Sequence, residues 1–135
     1  IEPSVGADRL FLSVLADAFE EQELENGDVR KVMHFHPALA PVKVAVLPLT
    51  KKQSDEAMAL YNELVKDFYC EYDQAGQIGK RYRRQDAIGT PLCVTVDLDK
   101  ATDHSVNVRD RDTMEQIRLP IDQLKDYIAD KTRFN

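Results

Sequence analysis

Little in this 135-residue chain could form a covalent or metal framework: it has two cysteines, Cys70 and Cys93, and neither belongs to a CxxC pair or stands at ligand-like spacing. That argues against a disulfide or zinc scaffold and for two buried free thiols, because free cysteine packs as a small hydrophobe. No apolar run approaches the roughly 20 residues that cross a bilayer, and the start carries no signal-peptide pattern, so the expectation is a cytoplasmic protein without a membrane partner. Neither a GxxxxGK phosphate loop nor a GxGxxG turn is present, which counts against a small nucleotide-binding α/β domain. No Ser/His/Asp or Cys/His set offers a nucleophile. Positive charge is also in short supply: a formal net charge of −6 argues against non-specific coating of nucleic acid and leaves room only for a local basic patch.

What is present is the balance of a globular protein, with 43% apolar and 31% charged residues. The length allows one ordinary domain with its own core, and anything further must be a remnant. The opening IEPSVGADRLFLSVL reads as a strand, turn and helix that begin abruptly, as the tail of a larger domain would. Leu10, Val14, Leu15, Ala18 and Phe19 recur at helical spacing and predict a helix over 8–20. The charged stretch 20–31, with Asn26 and Gly27, shows no periodicity and reads as a linker. VKVAVLPL at 42–49 is a nearly continuous apolar run, which suits a strand covered on both faces. Ser54 offers an N-cap to an amphipathic helix carrying Ala57, Leu60, Tyr61, Leu64, Val65 and Phe68. A short strand near 69–73, a helix near 77–87, a strand over 91–98, two antiparallel strands and a helix starting near Pro120 complete the pattern. The order is βαβαβββα, a mixed sheet flanked by helices.

Two stretches could carry chemistry. Within Lys80, Arg81, Tyr82, Arg83 and Arg84 four of five residues are cationic. Such a cluster at a helix start can meet phosphates through its charges and free N–H groups, while Tyr82 stacks on a base. The plainer alternative is a solvated helix face with internal ion pairs. In NVRDRD, Arg109 and Arg111 fall on one strand face, where arginine can stack on a base while donating hydrogen bonds. Pairing with Asp110 or Asp112 is the alternative there. The acids Asp97, Asp99 and Asp103 lack the Gly and Glu that a calcium loop needs at its sixth and twelfth positions. His34 and His36 lack a Cys, Asp or Glu placed to complete a metal site.

EPSVGADR followed by an apolar helix resembles the third signature motif of class II aminoacyl-tRNA synthetases. The resemblance implies that Arg9 contacts the terminal phosphate of ATP. Ser4 stands where the common pattern has Gly, and glycyl-tRNA synthetases read EPS there, which implies that Glu2 and Ser4 line a very small amino-acid pocket. A second resemblance spans residues 41 to 119. PVKVAVLPL, IGKRYRRQDAIGTP, VTVDLD and VRDRDTMEQIR are similar, in order and spacing, to the anticodon-binding domain of the glycyl enzymes, and the RDRDxMxQxR run is not shared with the threonyl, prolyl and histidyl domains.

The implied fold is a three-layer α/β domain over residues 33–135, with a mixed five-stranded sheet, preceded over 1–32 by a remnant of the catalytic domain and a linker. The implied anticodon contacts are Gln77, Lys80, Arg81, Tyr82, Arg83, Arg84, Arg109 and Arg111, with Arg83 and Arg109 matching cationic positions of the threonyl domain. The whole ligase would use ATP and Mg²⁺ to join glycine to its tRNA, as a homodimer. This chain lacks the first two signature motifs, so it is expected to bind glycine-accepting tRNA without catalysing, and to need no cofactor itself. The rival reading is a non-catalytic nucleic-acid-binding accessory module of the same fold, which would have no use for Arg9.

Overall fold

The computed structural model describes residues 6–24, 27–97 and 104–133. Helix α1, Ala7–Ala18, runs directly into strand β1, Phe19–Glu23. Antiparallel to β1 lies β2, Val29–Met33, with Phe19 opposite Met33 and Glu23 opposite Val29. The expected linker is therefore largely a β-hairpin. Its turn holds Gly27 at φ +85°, a left-handed conformation that glycine adopts without strain. The composition hid the strands because β1 is mostly exposed and the inward residues of β2 are Val32 and a charge, Arg30.

The remaining elements are β3 (Val44–Pro48), α2 (Ser54–Leu64), β4 (Cys70–Tyr72), α3 (Ile78–Ile88), β5 (Leu92–Val96), β6 (Ser105–Asp110), β7 (Gln116–Pro120) and α4 (Ile121–Thr132). They form one five-stranded sheet in the order β4-β3-β5-β6-β7, parallel through β3 and antiparallel beyond β5. The βαβαβββα reading and the mixed sheet thus describe the fold.

Some boundaries differ from the sequence reading. A single 3₁₀ turn, Lys51–Gln53, precedes α2, and its capping box is made by Thr50 and Gln53. Ser54 opens the helix without capping it. Pro120 is the cap of α4 and not its first turn. Phe68 lies beyond the end of α2 yet still packs on the core.

Strand periodicity sorts the core into two layers. Val44, Val46, Leu92, Val94, Val96, Val106 and Val108 point to one face, where Ala57, Leu60 and Leu64 of α2 and Leu124 and Ile128 of α4 cover them. Ala45, Leu47 and Cys93 point to the other, under Ile78 and Tyr82 of α3. Each fully buried leucine or valine contributes about 1.5–3 kcal/mol. Helix α3 is itself overlain by the hairpin, and α1 anchors there through a small cluster of Ala18, Phe35 and Ala40.

The crossover β3-α2-β4 leaves β3 in one direction over one face, and β4-α3-β5 returns over the opposite face to the other side. At β3 the strand order therefore reverses, and the mouth at the carboxyl ends of β3 and β5 is where open α/β sheets accept ligands. The N-terminus of α3 points to this mouth: Arg81 donates to the carbonyl of Pro48, the last residue of β3.

Candidate nucleic-acid interface

Helix α3 carries most of the expected RNA contacts, and its phase divides them. Ile78, Arg81, Tyr82, Gln85 and Asp86 lie on its inward side, buried or half-buried, whereas Gln77, Lys80, Arg83 and Arg84 are exposed. Gln77 caps the helix by position without a side-chain hydrogen bond. Lys80 is exposed in the first turn, where N–H groups and the helix dipole favour an anion. Arg83 and Arg84 diverge. Arg83 meets Asp28 in the hairpin at 3.0 Å, while Arg84 meets Asp73 at 2.7 Å and the carbonyl of Ala75 before the helix. Both arginines are about half exposed, and ion pairs at such sites contribute little to stability.

Arg81, Arg109 and Arg111 are not open cations. Arg81 donates to the carbonyls of Gly76 and Pro48 and fastens the helix start to β3. Arg111, 2% exposed, donates to the carbonyls of Gly89 (2.8 Å) and Phe35 (2.6 Å) and to the carboxylate of Asp112. The expectation that Arg81 and Arg111 stand on an RNA-facing shelf is corrected: their donors hold the backbone together. Tyr82 also differs from an open stacking platform. Its ring packs beside Ala45, Leu47 and Cys93, its hydroxyl shares a 2.6 Å hydrogen bond with Thr95, and the Arg109 guanidinium lies 4.7 Å from its centroid.

Only Arg109 of the two lies on β6, Arg111 falling in the turn that follows, and Arg109 is 7% exposed and grips Asp86 with two hydrogen bonds of 2.9 and 3.1 Å. Burial works against its charge, and the hydrogen bonds and charge of Asp86 outweigh this and hold its pKa above the ordinary arginine value. Beneath it the Cys93 thiol is pushed up to about 12 by burial. Burial likewise raises the Tyr82 phenol, against the hydrogen bond it shares with Thr95.

The charges therefore do not form one continuous shelf. Opposite Arg109 in the register stands Cys93, and opposite Asn107 stands Thr95, so Arg109 lies deeper toward the hairpin while Thr95 and Asn107 lie toward the mouth. Alongside them Arg118 of β7 pairs with Asp97 at 2.6 Å, and Asn107 donates to the same carboxylate at 2.8 Å. These residues extend the polar face of the sheet from α3 to its β7 edge.

The sequence reading did not single out Arg30, Asp86, Asn107 or Arg118. Asp86 left one signal: it is the only acid in α3 and falls four residues after Tyr82 on the inward stripe, a position that demands a buried cation. Of the residues expected to meet ATP and glycine, Arg9 is exposed in the first turn of α1, and Glu2 and Ser4 lie outside the described residues. A single exposed guanidinium can touch a phosphate but encloses no nucleotide. Among the described residues no group of three or more His, Cys, Asp or Glu is placed to hold a metal, and no helix is long and apolar enough to cross a membrane. A groove of about 630 Å³ between α1 and the end of α3 is lined by apolar side chains including Phe11, Leu15, Phe35 and Ile88.

Comparison with known proteins adds three findings. Residues 43–131 match the family model described as the anticodon binding domain. The chain is 62% identical over 134 residues to a glycine–tRNA ligase of Clostridium kluyveri and 60% identical to one of Geobacillus kaustophilus, covering 99% of this chain and 29% of each relative. The RNA binding domain of a threonyl-tRNA synthetase from Cryptosporidium parvum superposes with a TM-score of 0.67 at 26% identity, over 73% of this chain and 25% of that one.

Proposed function

Since the chain belongs to the anticodon binding domain family, we propose that it is the part of a glycine–tRNA ligase that reads the tRNA anticodon. The observation that carries the proposal is the 62% identity to a glycine–tRNA ligase along nearly the whole chain. The chain spans 29% of the length of such relatives, so adenylate chemistry, the use of ATP with Mg²⁺ and any dimer belong to the whole ligase. There Arg9 would meet the terminal phosphate of ATP, and Glu2 and Ser4 the glycine. Residues 1–32 would be the end of the catalytic domain and residues 33–135 the anticodon-binding domain.

The geometry supports a division of labour across the α3 face. Gln77 and Lys80 at the mouth, with Arg83 and Arg84 along the exposed side, are available to phosphates and base edges. Asn107 and Arg118 offer the polar sheet surface between α3 and β7. Arg109 can reach a base only at the margin of Tyr82, so its part is to donate from below to a nucleotide laid on the face. Arg81 and Arg111 hold the platform.

The test is binding of this chain to a stem-loop RNA carrying a glycine anticodon and to the same stem-loop with the anticodon altered. The expected result is preference for the first, with Arg109→Ala losing about 1–3 kcal/mol of affinity and most of the preference. Equal affinity for the two RNAs would remove anticodon reading and favour the accessory-module alternative.

A further inference from the structure

Asp86 is the meeting point of two structural bodies that are far apart in sequence. Its carboxylate, 1% exposed, accepts from Arg30 Nε at 2.9 Å and from both terminal nitrogens of Arg109. Arg30 belongs to the hairpin, where it also donates to the Gln22 side chain at 2.7 Å and to the carbonyl of Arg111. Arg109 belongs to the sheet and lies over Tyr82, whose hydroxyl is bonded to Thr95 on the proposed RNA face. On the other side, β1 of the hairpin continues without interruption into α1, which bears Arg9.

The cluster is unbalanced: two guanidiniums share one carboxylate, with Asp86 and Arg30 closed to water and Arg109 keeping 9% of its side chain accessible at the rim. Two like charges held on one carboxylate repel each other where the effective dielectric is low, so each arginine weakens the other's hold on the shared acid. A nucleotide that offers an acceptor or a phosphate to Arg109 takes up the surplus positive charge. The remaining Arg30–Asp86 pair then holds more tightly.

We propose that Asp86 is a positioning residue that couples the RNA face to the hairpin, so that nucleotide engagement at Arg109 strengthens the Arg30 anchor and firms the hairpin leading to α1. The proposal rests on the reading of the α3 face as the RNA surface. Coupling of this kind is reciprocal, so a firmly anchored hairpin must also favour RNA binding by the same factor.

The experiment measures amide hydrogen exchange in β1 and β2 of this chain, free and saturated with the glycine-anticodon stem-loop. RNA is expected to slow hairpin exchange about tenfold, within the usual range of coupling between sites. Asp86→Asn abolishes the slowing and weakens RNA binding by a similar factor. Should Asp86→Asn fail to fold by circular dichroism, Arg30→Lys is the second variant: it keeps the charge, loses the fork that joins Asp86, Gln22 and Arg111, and shows fast hairpin exchange with or without RNA. Hairpin exchange that ignores saturating RNA in the unaltered chain overturns the proposal, as does full slowing in Asp86→Asn or, where that variant does not fold, in Arg30→Lys. Anticodon-independent binding with hairpin slowing intact would sink the functional reading and leave the coupling standing, whereas no binding at all removes both.

Discussion

Arg111 illustrates how one side chain can be mistaken for a ligand contact when its work is internal. Its guanidinium satisfies two carbonyls from different elements, and it shares the Asp112 carboxylate with His34, which approaches at 2.6 Å. Removing a buried donor leaves those carbonyls unpaired at about 1–3 kcal/mol each. Arg111→Ala is therefore expected to lose about 3 kcal/mol of stability, read as a lower urea midpoint. Burial raises the Asp112 carboxyl, and hydrogen bonds from Arg111 and His34 outweigh it, so the group sits below its ordinary 3.8. A depressed folded value means that its contribution is complete above about 3.8 and fades as pH falls through the lower folded value. Asp112→Asn should accordingly lower the midpoint at neutral pH and converge on the parent chain in acid; an equal deficit at every pH would deny the carboxylate that role. Gly89 is constrained for a different reason. It ends α3 at φ +84°, and a Cβ there would collide with the Phe35 ring and crowd the carbonyl of Met33.

At the level of elements, β3, β5 and α2 were legible because each announces itself locally. Val44–Pro48 is an apolar run and Leu92–Val96 is apolar but for Thr95, both buried on both faces, and Ala57, Leu60 and Leu64 keep helical phase. The hairpin escaped because its identity is settled by a partner 56 residues away: Arg30 can turn inward only where Asp86 awaits it. The same non-local logic hid which cations of the α3 cluster are free. Charge count does not distinguish Arg81 from Arg83, but phase does, since Arg81 follows Ile78 by three and falls on the inward stripe. Local chemistry also explains the entry into α2. Thr50 and Gln53 exchange capping bonds, with the Thr50 N–H donating to Gln53 Oε1 at 3.0 Å. Thr50→Ala should cost about 1 kcal/mol, measured by urea unfolding, and a neutral result would mean that the turn is held by packing alone.

For the whole molecule, an acidic protein that binds RNA must do so through a few placed cations and not through its overall field. Lys80, Arg83, Arg84 and Arg118 are the exposed or part-exposed candidates on the proposed face, and three of these already hold carboxylates. Two to four phosphate contacts imply that the logarithm of affinity falls against the logarithm of salt with a slope of about −1.5 to −3. Titrations between low and moderate salt check this, and a slope near zero would place binding on apolar or hydrogen-bonding contacts instead. The outline of the sheet then acquires a second meaning. At one border β4 is only three residues long, and at the other β7 stops at Pro120, which has no N–H to offer, with Arg118 set among its five residues. Short, charged and proline-ended margins discourage recruitment of a foreign strand. The polar surface beside β7 can thus stay open in a crowded cell, free of the stacking between copies that a longer and plainer border would invite.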